Sequence, residues 1–292
     1  MLINDNFLKT VAFLTVEKRD NISGKIIKKP CATVFFVGVH VNNEVIQSYA
    51  VTARHVIENI HANTPIHIRV NNSDGSLDYS ESNKANWIIS DDTDIAVMSF
   101  IKKESHNLRE IPFNMLAADE AIKKERTGIG DEIFFVGLFS EHYGQEHNMP
   151  VVRFGYISLM PSEKLSVRVA DDMTIQVYGY LAEAMSWPGH SGSPVFIYYP
   201  FDREPGISRI ASFPANGILK NADPLSGTEQ FKLLGLVCAH YPIEQEVKMS
   251  DTIPEEQRGR IYEQAGMSVV IPAQGIIDTL NQSGLVEGKK TS

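Results

Sequence analysis

Gly189-His190-Ser191-Gly192-Ser193-Pro194 runs directly into the apolar stretch Val195-Phe196-Ile197, which sets a serine in a glycine turn at the mouth of a β-type segment. Two short motifs precede it in order. Thr52-Ala53-Arg54-His55-Val56 follows the β-type run Tyr49-Ala50-Val51, and Asp94-Ile95-Ala96-Val97 opens another such run. A serine hydroxyl is a weak nucleophile until a base stands within hydrogen-bond reach, and the base in turn needs a third group to orient it. A histidine, an aspartate and a serine supply that inventory. The glycines have their own uses: Gly189 lets its N–H and that of Ser191 point into one small pocket, and Gly192 permits close backbone approach behind the nucleophile. Ser193 stands where a nucleophile elbow between a strand and a helix requires glycine, and the chain order differs from that pattern too.

Composition narrows the alternatives. The 292 residues carry a formal net charge of −9, with 43% hydrophobic and 22% charged residues. Nucleic-acid binding needs a basic footprint, which this balance lacks. No window holds about 18 uninterrupted apolar residues, so no membrane-spanning helix is expected. Residues 1–8 carry Asp5 and no lysine or arginine, a poor secretory leader. Cys31 and Cys238, the two cysteines, sit in β-like runs and are expected to be buried free thiols in a reducing, cytoplasmic setting. Nine histidines are present. His142 and His147 lie close in one loop without further ligand types, which reads as a solvated loop; no metal site and no cofactor is expected.

Most of the chain reads as short strands between turn signals. Segments 33–41 and 44–52 flank a tight turn at Asn42-Asn43, and 66–70, 87–90 and 95–101 continue the pattern. The charged stretch 117–126 lacks an apolar stripe and reads as a connection. Segments 132–139, 151–160, 165–169, 174–180, 193–199, 232–240 and 267–271 follow as strands. Pro272 then suits the first turn of a closing helix that carries Ile276, Ile277 and Leu280 on one face. Stretches 140–150, 200–230 and 241–266 are long enough to be working loops, and the last is acidic and solvated with a lid role open to it. This arrangement argues for an all-β barrel or sandwich class.

Taken together, the three motifs resemble the trypsin-like serine peptidases, the chymotrypsin-fold superfamily. His55 and Asp94 lie 39 residues apart, and Asp94 and Ser191 lie 97 apart, intervals like those of that superfamily. Gly235-Leu236-Val237-Cys238-Ala239-His240 resembles its pocket-lining strand, and Gly266-Met267-Ser268-Val269-Val270-Ile271-Pro272 its final strand. The resemblance implies two chymotrypsin-like β-barrels with a C-terminal helix in a single unit over 1–292. The barrels would cover about 8–115 and 131–271, with a connection at about 116–130 and the helix at about 272–283. It further implies a serine endopeptidase acting on a protein or peptide substrate through an acyl-enzyme. Ser191 would be the nucleophile, His55 the general base and Asp94 its orienting carboxylate, with the Gly189 and Ser191 N–H groups as oxyanion hole.

The departures from the pattern carry information. His190 stands where digestive-type members have the aspartate that pairs with a freshly cut N-terminus, so activation by such cutting is not expected. Ser193 brings the chain nearer to the bacterial, glutamyl-endopeptidase-like and HtrA-like members. No PDZ-type extension is expected after the peptidase unit, which would leave targeting to loops or to a regulatory partner protein. Val237 replaces the histidine of glutamate-specific members, and Met185 would floor the pocket without charge. With Cys238, Ala239 and His240 completing the lining, the expected P1 residue is small and apolar or uncharged. His240 falls where a glycine usually stands and would narrow the cleft. Two other readings of the same residues stay open: a catalytically silent pseudo-peptidase that binds protein, and an esterase using the same site.

Overall fold

The computed structural model describes residues 3–19, 24–41, 45–170, 173–200, 230–246 and 260–285. The chain places eight strands in a first lobe: β1 (Val11–Arg19), β2 (Ile26–His40), β3 (Ile46–Thr52), β4 (Ile66–Asn71), β5 (Leu77–Ser82), β6 (Ile88–Ile89), β7 (Ala96–Phe100) and β8 (Ile111–Pro112). Their ladder runs β5-β4-β1-β2-β3-β7-β6, with β8 on β2. The sheet curls until side chains close its seam. Ser82 on β5 donates to the Met98 sulfur on β7 at 3.1 Å and accepts from the Trp87 indole at 3.2 Å.

The second lobe is a closed antiparallel barrel in the order β10-β13-β16-β15-β14-β9. Its strands are β9 (Glu132–Gly137), β10 (Val151–Leu159), β13 (Tyr180–Glu183), β14 (Pro194–Tyr198), β15 (Phe231–Glu246) and β16 (Arg260–Pro272). A separate hairpin joins β11 (Lys164–Ala170) to β12 (Met173–Tyr178). Among the described residues the α-helices are three: α1 (Arg54–Glu58), α2 (Asp119–Lys124) in the connection, and α3 (Ala273–Gln282) after the last strand. Both the all-β class and the two-barrel architecture are therefore those expected. Among the described residues no helix is long and apolar enough to cross a membrane.

The packing explains why the β2 sequence is apolar at every step from Val34 to Val37 rather than alternating. Successive strand side chains face opposite ways. Val34 and Phe36 fill the interior of the first lobe with Ala12, Leu14 and Ile68. Phe35 and Val37 point outward, into a layer shared with Phe134, Phe196, Leu236 and Ile276. The second barrel has its own interior of Ile133, Phe135, Ile157, Val195, Leu234 and Val270. The apolar layer between the lobes thus comes from strand faces that an isolated barrel would show to water. Phe7, just ahead of β1, stands edge-on to Phe134, Phe196 and Phe231 within this layer.

Several elements differ from expectation. β1 and β5 were not anticipated, and β2 begins seven residues early, so Cys31 lies on its outer face and is exposed rather than buried; Cys238 is buried, and both thiols are free. The segment expected as one strand at 174–180 breaks at Gly179, where β12 ends and β13 starts. A Cβ there would stand 3.1 Å from the Val270 carbonyl. The stretch 241–266, expected as a loop, continues β15 to Glu246 and begins β16 at Arg260, pairing Pro242 with Gln264 and Glu246 with Arg260. A two-stranded arm needs no buried face, so polar sequence does not exclude it. Asn42-Asn43 and residues 201–229 lie outside the described residues.

Candidate active site

The arm that carries His55 begins where β3 ends. Thr52 closes the strand, Ala53 turns the chain, and His55 enters the first turn of α1, where backbone N–H groups have no intrahelical acceptor. Asp94 supplies one. Its Oδ1 accepts the His55 backbone N–H at 2.8 Å while its Oδ2 meets the ring Nδ1 at 2.8 Å. Both residues are buried, at 4% and 2% exposure. The loop that presents Asp94 is braced from two sides. Arg54 donates to the Ser90 carbonyl at 2.7 Å, and Gly275 of α3 packs so closely on Thr93 and Ile95 that a Cβ would stand 2.7 Å from Ile95. Asp91 and Asp92 are exposed, as expected of turn residues.

The turn that carries Ser191 sits ahead of β14. Pro188 and Gly189 occupy its centre, closed by the His190 N–H on the Trp187 carbonyl at 3.0 Å, and Gly189 takes φ 100°. Proline second and a positive-φ glycine third is the pattern of a type II turn. Neither the Gly189 nor the Ser191 N–H donates to a backbone carbonyl among the described residues. Gly192 at φ 83° allows the turn to press against the first lobe, where a Cβ would come within 2.3 Å of both the Thr33 carbonyl and the Thr52 hydroxyl.

His190 is fully buried, edge-on to Phe135 with ring centroids 5.1 Å apart. Its Nδ1 accepts the Trp187 N–H at 2.7 Å, so the proton of the neutral ring sits on Nε2. Burial, with the nearby Arg153 charge, pushes this imidazole down to about 4. The ring therefore serves as an uncharged clasp on its own turn.

Ser191 is half-buried, and its hydroxyl donates to the Cys238 carbonyl at 3.0 Å. The Cys238 sulfur lies with the His55 and Asp94 side-chain atoms inside a 4.8 Å cluster, the group among the described residues able to bring three metal-ligating side chains together. The His55 nitrogen on the Asp94 side is already engaged by the 2.8 Å contact. Burial first, then the adjacent carboxylate, pushes the Cys238 thiol well up, so the sulfur keeps its proton.

The expected pocket residues are spread unevenly. Val237 is fully buried in the interior of the second barrel, and its backbone pairs with the Ser191 turn: Gly192 donates to its carbonyl at 2.8 Å, and its N–H donates to the Ser193 carbonyl at 2.9 Å. Ala239 is at the edge of burial, His240 is half-buried, and Met185 is 45% exposed. Burial lowers the His240 imidazole and favours its neutral form. His142 and His147 are exposed.

Loop 140–150, expected only as a long loop, is docked on the first lobe by Arg69 of β4. That guanidinium, 2% exposed, donates to the Gly144 and Gln145 carbonyls at 2.8 and 2.9 Å and to Asn148 Oδ1 at 2.8 Å. Thr52 opens the His55 motif, but the bonding roles of Thr33 and Thr52 carried no sequence signal, since threonine in a β-run is an ordinary strand former.

A sequence profile of the trypsin-like peptidase domain matches residues 36–198, more than half of the chain and the stretch that holds His55, Asp94 and Ser191. The chain belongs to the trypsin-like peptidase family. It is a serine-type peptidase, a hydrolase whose substrates are proteins or peptides. Among solved structures, the peptidase is similar to the active form of the Rv3671c protease from M. tuberculosis. Identity is 14% over 98% of this chain and 86% of that one, at a TM-score of 0.45. The inactive form of the Rv3671c protease gives 14% identity, 95% and 90% coverage and a TM-score of 0.46. No curated protein matches the peptidase.

Proposed function

We propose that this peptidase is a serine endopeptidase of one functional unit, with Ser191 as nucleophile, His55 as general base and Asp94 as its orienting group. The observation that carries the reading is the buried double contact of Asp94 with the ring and backbone of His55. With Nδ1–H committed to the carboxylate, the lone pair of Nε2 is left to accept a proton, which is the tautomer a serine base needs. The Ser191 proton leaves the Cys238 carbonyl for His55 as the hydroxyl oxygen attacks the scissile carbonyl. The Gly189 and Ser191 N–H groups take up the oxyanion, and the imidazolium then protonates the leaving amine. Water repeats the sequence on the acyl-enzyme and frees Ser191. None of these steps uses a metal or an organic cofactor.

For specificity we propose a small apolar or uncharged P1 residue. The support is chemical: Met185 carries no charge, and His240 is held toward its neutral form by burial. The two free thiols are compatible with a reducing, cytoplasmic location. One observation favours a catalytically silent relative that binds protein instead, namely that the Ser191 proton rests on the Cys238 carbonyl.

A fluorophosphonate probe separates the two. Labelling of wild type that is lost in Ser191→Ala is the expected result. Equally weak labelling of both proteins overturns the catalytic reading. A peptide-library screen then tests P1, and preferred cleavage after Lys, Arg or Glu removes the apolar-pocket assignment.

A further inference from the structure

The nucleophile turn is held from the opposite lobe by one residue. Thr33 of β2 is fully buried. Its N–H donates to the Ser191 carbonyl at 3.0 Å, and its hydroxyl donates to the Gly189 carbonyl at 2.9 Å. The same hydroxyl accepts the Leu138 N–H at 2.8 Å, from the segment just after β9. Its own carbonyl accepts the Thr52 hydroxyl at 2.8 Å, three residues before His55. One side chain and one backbone unit thus join the arm that carries the base to the turn that carries the nucleophile.

We propose that Thr33 is a positioning residue that fixes the oxyanion-binding amides of Gly189 and Ser191; this rests on the serine endopeptidase reading above. Peptide units are planar, so anchoring a carbonyl also orients the N–H on the other side of the same bond. Thr33 anchors the Gly189–His190 and Ser191–Gly192 units. The unit between them, which carries the Ser191 N–H, is then flanked by two fixed planes. Glycine at φ 100° has wide conformational freedom, and nothing in its own side chain resists a flip of the adjoining peptide. The hydroxyl adds resistance from the opposite lobe to the hold that the His190 N–H of the same unit has on the Trp187 carbonyl. Both its donor and acceptor roles are taken, so its loss leaves the Gly189 carbonyl and the Leu138 N–H unpaired in a dry interior.

Thr33→Val removes the hydroxyl at nearly constant shape, and Thr33→Ser restores it. The expected result for Thr33→Val is a kcat lower by about tenfold or more with KM within about twofold, because oxyanion donors act in the transition state. Affinity for a peptide boronate, whose tetrahedral adduct carries the oxyanion charge, falls in parallel. Thr33→Ser stays near wild type. A second readout needs no catalysis: amide hydrogen exchange in segments 137–140 and 187–193 accelerates in Thr33→Val and returns in Thr33→Ser. Unchanged exchange in those segments, or a loss of thermal stability with kcat intact, overturns the proposal. Failure of wild type itself to label with a fluorophosphonate instead overturns the peptidase reading, and the exchange measurement then decides Thr33 alone.

Discussion

Asp94 meets His55 twice, each carboxylate oxygen 2.8 Å from a different nitrogen, one on the ring and one on the backbone. An amide in that place can accept only one of the two N–H groups, and its own NH2 opposes the other. Asp94→Asn is therefore expected to drive the ring toward the tautomer that cannot accept the Ser191 proton. Turnover on a peptide substrate should fall by about 10³- to 10⁴-fold with little change in KM. A loss below tenfold in steady-state kinetics removes Asp94 from its orienting role.

Gly192→Ala tests how tightly the lobes meet at the nucleophile turn. The variant carries the strain of positive φ and a collision with the Thr33 carbonyl and the Thr52 hydroxyl. Gly130 makes the control, since it has φ 91° but open space around the added methyl. Gly130→Ala is expected to cost about 1 kcal/mol in urea unfolding and Gly192→Ala about 3 kcal/mol or more. Equal losses mean that the turn can retreat from the first lobe.

His190 gives stability a defined pH dependence. Its imidazole sits at about 4 in the fold, below the ordinary value of 6.5. Between those values the unfolded chain binds a proton that the folded chain refuses, so stability is lost as pH falls from about 6.5 toward 4 and the loss then levels off. The full difference corresponds to about 3 kcal/mol. Asparagine can present an acceptor to the Trp187 N–H without titrating, so His190→Asn is expected to show a flatter stability curve over this range in chemical denaturation. Parallel curves for the two proteins contradict the buried neutral ring.

Arg69 holds loop 140–150 through carbonyls and an amide oxygen, with no carboxylate among these partners. Arg69→Met removes the donors that dock the loop and is expected to cost about 2–4 kcal/mol. An added protease should then cut within 140–150, where wild type resists. Resistance equal to wild type would show that Asn71, which also bonds Asn148, suffices to hold the loop.

The family of this chain was legible because its motifs are local. Gly189 to Pro194 states its turn in consecutive residues, and the approach to His55 likewise sits in one short run. Strands with a clear end, such as β4 and β9, were equally readable. What escaped was written in pairings between distant residues. Thr33 looks like any strand threonine until Gly189 is brought beside it from 156 positions away. Arg69 resembles a surface charge until Gly144 and Asn148 arrive from the other lobe. The polar arm of β15 and β16 shows the opposite error, since backbone pairing can extend where no hydrophobic pattern marks it. Val237, chosen for its place in a motif, faces the barrel interior because the next residue, Cys238, is the one turned toward Asp94.

The bonds from Thr33 to Gly189 and Ser191, and from Ser191 to Cys238, place a late constraint on the newly made chain. During synthesis from the N-terminus, the His55 arm can form early, but the Ser191 turn has no backing strand until residue 238 has emerged. The contacts that complete the site span most of the chain, and long-range closure is slow to form. The growing polypeptide therefore leaves the ribosome with these cross-lobe contacts still unmade. Order of synthesis thus separates the two arms in time as well as along the sequence.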